Sequence, residues 1–165
     1  LIVDEKWDEY QIEGQSIGFS EDQLSFLQNL DYSDNFVVRV DYEEYNSLGQ
    51  AIPDFFTPHL TVVPEQQARY SLGKEALLDY IREKNEPYTA GLSADQIGSG
   101  KLYFTVTKEG KIENININGY KSIPAIDLNL TDLMQNLPGE WEPARNAAGD
   151  KVDQELVLSF GNMGC

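Results

Sequence analysis

Five places in the chain carry residue types and spacings that could do chemistry. Gly14 to Gly18, "GQSIG", fits the G-x-S-x-G pattern of a hydrolase nucleophile elbow. That elbow needs a buried strand before the serine and a helix directly after it. The residues ahead of it, "EKWDEYQIE", are too charged for a buried strand, and His59 is the single histidine that could serve Ser16 as a base. An ordinary Gly-Ser turn is the default reading. The acidic clusters "DYSDN" and "DYEEYN" invite calcium, but neither has the EF-hand spacing with its central glycine and terminal glutamate. Glu140 and Glu142 flank Trp141 like a pair of carboxylates for glycoside cleavage, yet nothing in the sequence fixes their separation. Cys165, the lone cysteine, has no neighbour that would lower its pKa and no second thiol for a disulfide or zinc site. No P-loop or dinucleotide fingerprint is present. The expectation is therefore a protein that is not an enzyme, with no cofactor and no metal site.

Charge narrows the partners. The 165 residues carry a formal charge of −16. Binding to nucleic acid needs clustered Lys and Arg that displace counterions from phosphates, and an anionic membrane surface is disfavoured for the same reason. No run is long and apolar enough for a membrane helix. The chain begins at Leu1 rather than at a methionine, so any anchor or signal would precede it.

The elements that must position these residues follow from periodicity. Ser20 with Gln23 three residues on is a capping-box signature for a short helix bearing Leu24, Phe26 and Leu27. "NFVVRVDYEEY" and "DFFTPHLTVV" read as two strands of a hairpin across "NSLGQ". Phe36, Val38 and Val40 fall on one face of the first strand, and Pro58 demands an edge or a bulge in the second. "SLGKEALLDYIREKN" reads as a helix with Ala76, Leu77, Tyr80 and Ile81 inward, ended by Asn85 and Pro87. "TAGLSADQIGSG" reads as loop. Residues 100–118 form the clearest hairpin, with Leu102, Phe104 and Val106 alternating, Gly110 in the turn, and Ile112, Ile115 and Ile117 returning. A second helix over 125–137 carries Ile126, Leu130, Leu133, Met134 and Leu137. "KVDQELVLSF" is the last strand.

This order predicts an α+β fold: a three-stranded, mostly antiparallel sheet with two helices on one face, over residues 65–165. Residues 1–64 form an accessory segment with a short helix and a β-hairpin.

Residues 65–160 resemble the C-terminal domain of the TonB family of energy transducers. "EQQARYSLGKEALLDYIREKN" is similar to that family's lead-in and first helix. "GSGKLYFTVTKEGKIENININ" is similar to its hairpin, with Gly100, Leu102, Phe104, Val106, Gly110 and Ile112 at the matching places. "LPGEWEPARNAAGDKV" resembles its loop motif through Trp141, Pro143, Ala144, Gly149 and Val152. The resemblance implies a periplasmic or cell-envelope protein, anchored to a membrane or lipid or exported. It implies a partner in the envelope, an outer-membrane transporter, whose extended segment adds as a strand, and coupling of energy to uptake. The alternative is an exported or lipid-anchored protein reusing the fold for another partner or for homodimerisation.

On either reading the partner is a protein, and the last strand is the candidate binding element. Its backbone from Val152 through Asp153, Gln154, Glu155, Leu156, Val157, Leu158 and Ser159 to Phe160 would offer an edge to the partner. Trp141 is expected to plug the open end of the helix–sheet sandwich, with Pro143 stiffening the loop into that strand.

Overall fold

A computed structural model describes residues 12–14, 18–118 and 123–161. Ser16 and Cys165 lie outside them. The chain is mixed α+β with several small antiparallel sheets, and divides into two compact units, Leu1–Val63 and Pro64–Cys165.

In the first unit, α1 (Glu21–Gln28) starts where the sequence places it. Ser20 Oγ accepts the Gln23 N–H at 3.2 Å, and Gln23 Oε1 accepts the Ser20 N–H at 2.8 Å. Four strands follow: β1 (Asn35–Val37), β2 (Val40–Tyr45), β3 (Ala51–Phe56) and β4 (His59–Thr61). The long hairpin read from the sequence is present in two pieces, β1 with β4 and β2 with β3. The break falls at Pro58, whose carbonyl still accepts the Val38 N–H at 3.2 Å but whose ring nitrogen has no proton to return. The turn closes through Gly49 at φ +73°. Every residue of β2 and β3 is exposed. Alternation placed the side chains on two faces but could not supply a layer to cover either.

The second unit contains β5 (Arg69–Tyr70), α2 (Lys74–Thr89), α3 (Ala94–Ile97), β6 (Ser99–Val106), β7 (Ile112–Asn118), α4 (Pro124–Gln135), β8 (Trp141–Glu142), β9 (Ala144–Arg145), β10 (Lys151–Val152) and β11 (Gln154–Gly161). Its main sheet has the order β11-β6-β7. Leu102, Phe104 and Val106 of β6 are almost wholly buried. Met134 of α4 and Ile81 of α2 pack against them, with Ile112, Ile115 and Ile117 of β7 and Leu156, Leu158 and Phe160 of β11. The apolar stripe of α4 is buried as its spacing predicts, at Ile126, Leu130, Leu133 and Met134.

Three expectations are corrected here. Helix α2 runs through Pro87 to Thr89. A proline in the last turn forfeits only its own bond to the carbonyl four residues back, and the Ala90 N–H still caps Glu86 C=O at 2.8 Å. Ala76 of that helix is exposed while Leu77 is buried. The stretch read as loop holds α3, started by a second reciprocal cap in which Ser93 N–H donates to Gln96 Oε1 at 2.7 Å and Gln96 N–H to Ser93 Oγ at 3.3 Å. It is the same Ser-x-x-Gln signature that announced α1.

Candidate functional site

The candidate site is the outer edge of β11, and it is built from the β6–β7 turn outward. Thr107 N–H donates to Lys111 C=O at 2.8 Å, and Thr107 C=O accepts the Gly110 N–H at 2.7 Å. Both backbone groups of Thr107 therefore turn toward β7. This direction alternates residue by residue along a strand. Thr105 and Tyr103 also turn toward β7, and Val106, Phe104 and Leu102 turn toward β11. Their register partners are Gln154, Leu156 and Leu158. Those three spend their backbone groups on β6. Val157 and Ser159, between them, direct N–H and C=O to the outer edge, where no described strand pairs.

The eight residues of β11 pair with β6 without a register shift. The opposite edge differs. Between Tyr103 and Thr105 the β6–β7 register slips, and Asn114 takes φ +52°. This bulge moves the inward parity from Ile112 to Ile115 and Ile117, and bulged edges resist pairing. The long, regular free edge in this sheet is β11.

The side chains of β11 obey the predicted alternation. Gln154 is buried, Leu156, Leu158 and Phe160 are half-buried, and Glu155, Val157 and Ser159 are exposed. Gln154 Oε1 accepts the Ala68 N–H at 2.8 Å, which ties the lead-in segment to the strand and answers the strand's one buried polar side chain. Two residues of the candidate edge fall outside the strand. Val152 pairs with Ala144 in the β9–β10 ribbon. Asp153 lies between ribbon and strand, and its Oδ1 accepts the Lys108 N–H at 2.7 Å. The edge therefore comprises 154–161 rather than 152–160. Alternation alone cannot mark where one ladder ends and the next begins.

The loop motif surrounds the other end of the core. Trp141 lies with its ring centroid 5.4 Å from Tyr70 and 5.4 Å from Phe104. Its β8 strand pairs with β5. Pro143 is half-buried and Ala144 fully buried. Gly149, at φ +87°, forms the turn in which the Asn146 N–H reaches Asp150 C=O at 3.0 Å. Trp141 and Ala144 thus act as packing, and Gly149 aligns β9 with β10.

Of the residues singled out for catalysis, Glu140, Glu142 and His59 are among the described ones. Glu142 Oε2 takes Arg69 Nη2 at 2.8 Å, while the Glu140 N–H donates to Ser71 Oγ at 3.0 Å. The Glu142 carboxylate is thus engaged by Arg69, while the Glu140 backbone ties the loop to Ser71. His59 is exposed on β4, paired in register with Val37. Asp34 Oδ2 accepts the Asp31 N–H at 2.8 Å, a turn within "DYSDN" rather than a cation cradle. Among the described residues no group of three His, Cys, Asp or Glu could hold a metal ion, and no helix is long and apolar enough to cross a membrane.

In the first unit, the Arg39 guanidinium grips Asp41 at 2.8 Å and lies 4.6 Å over the Phe55 ring. The hydrogen bond from Arg39 holds the Asp41 carboxyl below its ordinary range. Tyr42 Oη donates to Asp54 Oδ2 at 3.1 Å, and this bond raises the phenol above its ordinary value. These groups are exposed, so each contact adds little to stability.

Compared with protein-family models, curated proteins and solved structures, the chain matches none of them.

Proposed function

We propose that Pro64–Cys165 is a protein-binding module that takes an extended partner segment along the outer edge of β11. The observation that carries this reading is the regular, outermost position of β11, with Val157 and Ser159 directing backbone groups away from β6. Strand addition draws affinity from such main-chain groups and specificity from alternate side chains. The likeness of residues 65–160 to the TonB C-terminal domain supplies the partner class. It is an outer-membrane transporter segment in the cell envelope, bound so as to couple energy to uptake. The presence of a separate compact unit, Leu1–Val63, favours a second reading, an exported or lipid-anchored envelope protein that uses the same edge for another protein or for a second copy.

Val157→Pro tests the edge. The substitution removes an outward N–H and leaves the β6 ladder its donors, a place where proline is tolerated. Partner affinity is expected to fall about tenfold or more, since the lost bond and the ring's intrusion together amount to ~1.4 kcal/mol or above. The unfolding transition is expected to move little. A folded variant that binds its partner with unchanged affinity would overturn the proposal.

A further inference from the structure

The β2–β3 ribbon of the first unit carries a second surface. Cross-strand partners share a face, and the register pairs Val40 with Phe56, Tyr42 with Asp54 and Glu44 with Ile52. On that face Val40, Tyr42, Ile52 and Phe56 are all exposed, Phe56 to 61%. On the opposite face, Phe55 is covered in part by Arg39. A two-stranded hairpin is marginal alone in water, and four adjacent large apolar side chains on one of its faces are more than the scattered exposure of an ordinary surface.

Charge and size say what fits this face. Lys6 and Arg39 are the only lysine and arginine in the first 63 residues, against many carboxylates. Arg39 is held by Asp41. Among the described residues no cation pairs with Glu43, Glu44 or Asp54. A second copy of so acidic a unit would be repelled. Each strand has six residues, so the face is about 20 Å long and ~10 Å wide. That is about 200 Å², far below the ~800 Å² per partner of a stable protein–protein interface. We infer that this face docks a short basic polypeptide segment that turns both lysine or arginine and apolar side chains to the same side. The apolar side chains would cover Val40, Ile52 and Phe56, and the cations would meet Glu44 and Asp54, with Tyr42 Oη holding the Asp54 carboxylate toward them.

The test uses two octapeptides, one repeating Lys-Lys-Val-Val and one repeating Lys-Lys-Ser-Ser, so that each side of the extended peptide carries both residue types, titrated against the whole chain. The lysine–valine peptide is expected to bind about tenfold tighter or better. Ile52→Ser with Phe56→Ser should abolish that preference, and Glu44→Gln with Asp54→Asn should weaken both peptides while amide spectra show the hairpin intact. Val157→Pro should leave this binding unchanged, which separates it from strand addition at β11. Equal affinity for the two peptides would reduce the effect to net charge and overturn the inference. So would a preference that survives both hairpin variants, or a dimer in sedimentation that the Ile52 and Phe56 substitutions abolish.

Discussion

Trp141→Ala is expected to destabilise Pro64–Cys165 by about 3 kcal/mol, the scale of large aromatic truncations in a core. The indole lies between Tyr70, 4% exposed, and Phe104, fully buried. Its removal opens a void between α-helical and sheet side chains that neighbouring strands cannot collapse into, because β8 is fixed to β5. Trp141 Nε1 is buried without a hydrogen-bond partner among the described residues. Trp141→Phe therefore deletes an unanswered donor along with some volume, and should cost less than half as much. Chemical denaturation measures both. A loss below about 1 kcal/mol for the alanine variant would contradict the packing role and return Trp141 to the surface as a recognition residue.

Gly110→Ala should be comparably damaging, at about 3 kcal/mol. Gly110 sits at φ +79°, and a Cβ there would stand 2.5 Å from the Trp141 carbonyl oxygen. The left-handed backbone alone costs roughly 1–2 kcal/mol for a residue with a side chain. The remainder comes from forcing apart two backbones that cannot retreat without breaking β8. Gly149 is the control. Its φ is +87°, but nothing lies within 4 Å of its would-be Cβ. Gly149→Ala should then show the conformational part only. Equal losses at the two glycines would mean the close approach to Trp141 carries no energy.

Much of this architecture is legible in the residues themselves. Local signals act at short range: the Ser20–Gln23 cap, the Gly110 turn, the stripe from Ile126 to Met134 and the alternation of Leu102, Phe104 and Val106 each state their element directly. The second cap at Ser93–Gln96 was equally legible but stands ahead of a helix too short to show a period. The step of three from Ile112 to Ile115 also carries a message, since a strict strand would repeat by two, and it marks the bulge at Asn114. The two-residue strands β5, β8, β9 and β10 have no periodic signature at all. They exist because the Trp141 loop is held against Tyr70 and because Gly149 turns the chain. Burial is the least legible property. β2 and β11 alternate comparably, yet β11 lies against a core and β2 has none among the described residues of its own unit, and only tertiary packing makes that distinction. The candidate edge was legible as the last strand, while its limits, set by the pairing of Val152 with Ala144 and the capture of Lys108 by Asp153, were not.

Residue-resolved amide exchange tests the central claim most directly, with the chain free and then saturated with an extended periplasmic segment of an outer-membrane transporter. Strand addition at β11 should slow exchange at Val157 and Ser159, whose N–H groups face outward. Leu156 and Leu158, already bonded across to β6, should change little, so protection should alternate along the strand. Protection confined to β7 or to Leu1–Val63, with Val157 and Ser159 exchanging as fast as before, would contradict the account.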